Sequence, residues 1–94
     1  MAELVHLKAV VHGRVQGVYY RAFTSRVAKS LGIKGFVRNI VGSGNVEIEA
    51  EGDKPKLEEF LRQLEVGPPE ALIENIDTQW SDYRGSYPGF DVRY

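Results

Sequence analysis

There is no cysteine anywhere in these 94 residues, and that absence closes several routes at once. It removes a disulfide framework, a thiolate metal site and a cysteine nucleophile, and it points to a reducing, cytoplasmic setting. Nor is there a surplus of positive charge, since 12 Lys plus Arg stand against 13 Asp plus Glu for a net charge of −1. Polyanion binders ordinarily carry a basic excess, so no nucleic-acid partner is expected. One phosphate-sized anion needs only a cation or two and some backbone N–H groups. No apolar run is long enough to span a bilayer, and no membrane partner is expected. The start Met1-Ala2-Glu3 lacks the basic and continuously apolar segments of a signal peptide. With 43% hydrophobic residues the chain has material for one core and not two, so a single domain over residues 1–94 is expected.

The hydrophobic residues that are present fall into clear periods. Over 4–11, Val5, Leu7, Ala9 and Val11 alternate with His6, Lys8, Val10 and His12, the pattern of a half-buried strand. Tyr20, Phe23, Val27 and Leu31 then recur at helical spacing, and Gly32 stands where a left-handed cap would end the helix. Residues 33–39 read as a second strand and 46–51 as a third, joined through a glycine turn over 40–45. In the third, Val46, Ile48 and Ala50 face the core and Glu47, Glu49 and Glu51 form a solvated acidic face. Asp53 is placed to cap a second helix, with Pro55 in its first turn and Leu57, Phe60, Leu61 and Leu64 as its apolar stripe. Gly67-Pro68-Pro69 stops it, 72–80 alternates as a fourth strand, and 90–94 makes a short fifth strand at a sheet edge. The order βαββαβ predicts an α+β, ferredoxin-like sandwich: an antiparallel sheet with two helices on one face, strands one and three lying centrally and parallel. That fold hosts many unrelated functions and decides none of them.

The stretch with the most chemical promise is Gly13-Arg14-Val15-Gln16-Gly17-Val18-Tyr19-Tyr20-Arg21, between the first strand and the first helix. Two glycines four apart let the backbone curl and aim successive N–H groups at one point, and the helix start adds unpaired N–H groups and a positive dipole end. A phosphate or carboxylate would fit there. Arg21, in the first turn, offers a planar fork of donors for two phosphoryl oxygens. Taken alone, the stretch reads first as a tight β-to-α turn followed by a solvated arginine, because a glycine-rich turn is a weak signal. Asn39, at the end of the second strand, is the other candidate. An amide can hold a water without adding charge beside a phosphate, although asparagine is also common at the start of a turn.

Together, Gly13 to Arg21 and Gly35-Phe36-Val37-Arg38-Asn39 resemble the paired signature of the acylphosphatase family, G-x-V-Q-G-V-x-[FY]-R and G-[FWY]-V-[RK]-N. Both fit without a gap, and the length, the element order and the aromatic end Phe90 to Tyr94 are similar to the family's. The resemblance implies hydrolysis of small acyl phosphates to a carboxylate and inorganic phosphate, which would be product and inhibitor, by a monomer with no metal or organic cofactor. It implies that Arg21 binds the phosphoryl oxygens and Asn39 orients the attacking water. Backbone N–H groups of Arg14, Val15, Gln16, Gly17, Val18, Tyr19 and Tyr20 would complete the cradle. A carboxylate is already a good leaving group, so positioning and charge stabilisation suffice and no general base is named. Tyr20 and Phe36 stand where many members have Phe and Trp, which the resemblance treats as changes of packing.

Other readings are weaker. His6 and His12 lie about 20 Å apart along an extended strand, too far to share an ion, and read as surface residues. An RNA-recognition module uses the same layout, and Lys34-Gly35-Phe36-Val37 touches its aromatic motif. That module needs a second aromatic run where this chain has Glu47, Glu49 and Glu51. A binding domain that kept the cradle but lost turnover would not be expected to carry both Arg21 and Asn39. A P-loop fails because no Gly-Lys-Ser or Gly-Lys-Thr follows the glycines.

Overall fold

Alternating apolar residues give this chain five strands, and helical stripes give it two helices to cover one face of the sheet they form. A computed structural model describes residues 3–94; Met1 and Ala2, read above as lacking signal-peptide character, lie outside the described residues. The elements are β1 (Leu4–Arg14), α1 (Tyr20–Ser30), β2 (Lys34–Asn39), β3 (Val46–Asp53), α2 (Lys54–Val66), β4 (Leu72–Asp82) and β5 (Phe90–Arg93). They build one sheet in the order β4-β1-β3-β2-β5. All neighbouring pairs are antiparallel except β2 and β5, which run parallel. The ferredoxin-like sandwich is therefore present, with the fifth strand.

One expectation is reversed. β1 and β3 are central, as expected, but they pair antiparallel, with Leu7 opposite Ala50 and Ala9 opposite Ile48. The crossover through α1 makes β1 and β2 run the same way, and the hairpin turns β3 back between them. As a result, the ends of β1 and β2 that carry Arg14 and Asn39 lie at the same end of the sheet.

The core lies between sheet and helices. Leu7, Ala9 and Val11 of β1, Val46, Ile48 and Ala50 of β3 and Val37 of β2 meet Leu57, Phe60 and Leu64 of α2, all fully buried. In α1 the buried face is rotated from the expected one: Tyr20, Thr24, Ser25 and Ala28 are buried, while Phe23, Val27 and Leu31 are half-buried at its margin. Thr24 tolerates this because its hydroxyl donates to the Tyr20 carbonyl at 2.8 Å, so its polar group is satisfied within the helix.

The opposite face of the sheet is not the solvated acidic surface that the sequence suggested. Residues 83–89 cross back over it, and His6 and Glu51 beneath them are each only 2% exposed. Glu51 accepts the backbone N–H groups of Arg84 and Gly85 at 2.8 and 3.0 Å and the His6 Nδ1 at 2.7 Å. The other nitrogen of His6 lies 2.9 Å from Glu49, and the Tyr87 ring stacks on the imidazole. His6 is thus an internal residue, clamped by two carboxylates of the neighbouring strand. His12 is paired separately, with Asp77 at 2.8 Å.

Burial alone would push the Glu51 carboxyl up, but the His6 hydrogen bond, the two backbone N–H groups and the charge on His6 outweigh it and hold the carboxyl below its ordinary 4.5. A depressed folded-state value means that this carboxylate stabilises the fold above pH 4.5 and loses that contribution as the pH falls through the lower folded value. Glu51→Gln should therefore lower the unfolding free energy by about 1–3 kcal/mol at pH 7. In urea titrations the gap from wild type should narrow below pH 4.5; a gap independent of pH would contradict the clamp.

Candidate active site

The stretch from Gly13 to Arg21 divides into two parts with different physical roles. β1 runs on through Gly13 and Arg14, so Gly13 is not a loop glycine as the sequence suggested. It lies at an irregularity in the pairing of β1 with β4, at φ 137°, where a Cβ would come within 2.0 Å of the Leu72 carbonyl oxygen. Glycine is required there because another backbone passes too close for a side chain. Gly17, at φ 76° with open space around it, is the glycine that turns the chain. Gly13→Ala should accordingly cost about 2–4 kcal/mol in urea unfolding, and Gly17→Ala nearer about 1 kcal/mol.

After Gly17 the chain reaches Tyr19, the only non-glycine residue at positive φ among those described, at 60°. Backbone strain at a non-glycine residue concentrates at functional sites. Tyr19 is the N-cap of α1, and its side chain makes no capping hydrogen bond; the first turn also contains no acidic residue. The helix begins bonding with Phe23 N–H to the Tyr19 carbonyl at 3.0 Å. The N–H groups of Tyr20, Arg21 and Ala22 therefore have no acceptor within the helix. Those of Gln16, Gly17, Val18 and Tyr19 take no part in the turn and loop hydrogen bonds among the described residues. A run of free donors thus leads into an uncapped positive helix end, which is the arrangement an anion requires.

Arg21 supplies the formal charge. Its Nη1 donates to the Arg93 carbonyl at 3.3 Å, and its guanidinium lies over the Tyr94 ring, 4.6 Å from the centroid. Arg93 is held in turn with its guanidinium 4.0 Å from the centroid of Phe36. Two weak contacts thus steady Arg21 and leave its remaining N–H groups to a ligand. The adjoining cavity, of about 390 Å³, is lined by Val15, Gly17, Tyr19, Tyr20, Arg21, Ala22, Val92 and Tyr94. Arg21 is the only charged side chain among them.

The Tyr20 ring is buried and its hydroxyl donates to the Leu64 carbonyl at 2.9 Å, near the end of α2. Burial pushes that hydroxyl's pKa up, so it stays protonated and structural. This gives the tyrosine a use beyond that of the phenylalanine common at its position.

Asn39 ends β2 opposite Val46, which pairs on its other side with Val11, so it sits one strand beyond β3 at the cradle end of the sheet. It does not line the Arg21 cavity. Its Oδ1 is buried with no hydrogen-bond partner among the described residues. A buried acceptor without a protein partner is one that a water or a ligand can satisfy. The loop and Asn39 are joined by Gln16, whose Nε2 donates to the Asn45 carbonyl at 2.9 Å. Among the expected cradle residues, then, Val15, Gly17, Tyr19, Tyr20 and Arg21 share one cavity; Arg14 belongs to β1, and Gln16 reaches the next turn. The sequence reading missed Arg93 and Tyr94 as supports of Arg21. The only signal was the aromatic end of the chain, because the contact between Arg21 and Arg93 spans 72 residues. Among the described residues, no group of three His, Asp or Glu side chains is placed to hold a metal ion.

A free-donor loop, an uncapped helix start and a stacked arginine on a βαββαβ sandwich together offer the donors and the charge that a small anion requires. Comparison with known proteins makes this specific. A family model described as acylphosphatase matches residues 7–92. An acylphosphatase of Dehalococcoides mccartyi is 47% identical over 88 residues, spanning 94% of this chain and 97% of that one. One from Thermotoga maritima is also 47% identical, spanning 94% and 96%. The crystal structure of acylphosphatase from Bacillus subtilis superposes with a TM-score of 0.91 at 30% identity, covering 96% of this chain and 99% of that one. The chain belongs to the acylphosphatase family, hydrolases of acyl phosphates.

Proposed function

We propose that this chain hydrolyses small acyl phosphates as a monomeric cytoplasmic enzyme, with one acylphosphatase-like domain over residues 1–94 and no need of a metal or organic cofactor. The observation that carries the reading is the uncapped start of α1, whose first-turn residues line the cavity together with Arg21. The phosphoryl group sits against the N–H groups between Arg14 and Tyr20, and Arg21 takes two of its oxygens. Asn39 orients a water for in-line attack on phosphorus. The new P–O bond forms as the bond to the acyl oxygen breaks, the acyl group leaves as a carboxylate, and both protons of the water stay with the phosphate, which is released as dihydrogen phosphate. No side chain has to protonate the leaving group, because the carboxylate is a weak base. Inorganic phosphate occupies the same donors as product and competes with substrate.

Phosphate release from benzoyl phosphate in the presence of a chelator tests this directly. Turnover well above spontaneous hydrolysis is expected, with competitive inhibition by phosphate. A rate equal to the spontaneous one would refute the reading, and loss of turnover only with chelator would refute metal independence.

A further inference from the structure

The reading above uses only the backbone of Gln16, yet its side chain makes the most specific contact between the two halves of the site. Gln16 is half-buried, and its Nε2 donates to the Asn45 carbonyl at 2.9 Å and to the Ile40 carbonyl at 3.4 Å. Both neighbours are carbonyl oxygens, which only accept, so the NH2 end of the amide must face them. The Ile40 N–H donates to the same Asn45 carbonyl at 2.9 Å. Ile40 follows Asn39 directly, and the two carbonyls close the base of the turn into which Asn39 leads.

That turn has little else to fix it to the loop. Residues 41–44 are exposed, Val41 almost wholly so, and Gly42 and Gly44 both have positive φ. Among the described residues the remaining hydrogen bonds of 40–45 are internal: Ser43 N–H and hydroxyl to the Ile40 carbonyl at 3.3 and 3.2 Å, and Asn45 N–H to the Ser43 hydroxyl at 3.2 Å. At the Asn39 side chain, Oδ1 has no partner to anchor it. Gln16 is thus the hydrogen-bonded link from the phosphoryl-holding loop to the strand end that carries Asn39.

We propose that the Gln16 side chain is a positioning residue for the hydrolysis, fixing the separation between the loop that holds the phosphoryl group and the amide that orients the water. This rests on the function proposed above. In-line attack needs reacting atoms about 3–3.5 Å apart, and a displacement of about 1 Å can cost about a hundredfold in rate. A neutral amide suits this role, because it gives two N–H donors to two carbonyls and places no negative charge beside the incoming phosphoryl group.

The test is a double-mutant cycle between Gln16→Met, which keeps the length of the side chain and deletes its donors, and Asn39→Ala. Benzoyl phosphate turnover, phosphate inhibition and urea unfolding are measured for each. Gln16→Met should lower kcat about tenfold to a hundredfold while the phosphate inhibition constant moves by less than about threefold. In the Asn39→Ala background the same change should lower kcat by less than about threefold, because the group that Gln16 positions is already gone. Gln16→Asn, an amide too short to bridge, should behave like Gln16→Met, and it serves in its place if the methionine variant does not fold. Unchanged kcat in a folded variant, an equal weakening of phosphate inhibition, or full additivity with Asn39→Ala would each overturn the proposal. A wild-type protein with no turnover would instead refute the hydrolase reading beneath it.

Discussion

Arg21→Ala should remove competitive inhibition by phosphate and lower kcat/KM for benzoyl phosphate by at least about a hundredfold, the scale seen when a charge-stabilising donor is deleted. The loop N–H groups remain in this variant, but they are neutral dipoles and would hold a mobile dianion poorly without the formal charge. The loss should not come from unfolding. Arg21 makes its contacts with an exposed carbonyl of Arg93 and with the fully exposed Tyr94 ring, so urea stability should change by less than about 0.5 kcal/mol. Arg21→Lys separates charge from shape. An ammonium restores a positive charge but cannot hold two phosphoryl oxygens in parallel while also reaching the Arg93 carbonyl. It should recover part of the phosphate affinity and little of the turnover. Full recovery by lysine would show that the planar fork is unnecessary.

Asn39→Ala should have a different signature. Turnover should fall by at least about a hundredfold while inhibition by phosphate survives, as the proposed role of orienting water without holding the anion requires. Stability gives a second readout. The wild-type Oδ1 makes no hydrogen bond to the described residues, so its removal breaks no contact within the protein, and the variant should be no less stable than wild type. A variant that lost turnover and phosphate inhibition together, or that unfolded at markedly lower urea, would mark Asn39 as structural.

Most of the architecture was legible because period-2 and period-3.6 patterns are local. The alternation of Val5, Leu7, Ala9 and Val11 and the stripe Leu57, Phe60, Leu64 each specify an element and its buried face without knowledge of a partner. What the sequence misled on depends on packing between distant segments. Gly13 reads as a turn glycine until β4 is laid against it, when the Leu72 carbonyl becomes the reason for it. His6 and the glutamates of β3 read as a polar surface until residues 83–89 fold over them and satisfy Glu51 with two backbone N–H groups. Thr24 is hidden from any hydrophobic stripe because its hydroxyl is satisfied by its own helix.

The site divides along the same line. Arg21 and the free N–H groups around it follow from a glycine-bearing loop that leads into a helix, and both can be read locally. The supports cannot: Arg93 and Tyr94 reach Arg21 only because β5 adds to β2 in parallel, and Gln16 reaches Ile40 and Asn45 only because the sheet brings two loops to one end. Asn39 is intermediate. Its place at a strand end was legible, whereas its orphaned oxygen was not.

The central claim is that one anion site is formed by the loop, the start of α1 and Arg21. A proton–nitrogen NMR titration of the wild-type protein with inorganic phosphate tests it most directly, since every backbone N–H and the Arg21 Nε–H report individually. Saturable shifts should be largest from Gln16 to Ala22 and at the Arg21 side chain, with smaller shifts at Asn39 and Ile40. Shifts centred on the opposite sheet face, around His6, Lys8 and Arg84, or no saturable shifts in the loop, would contradict it.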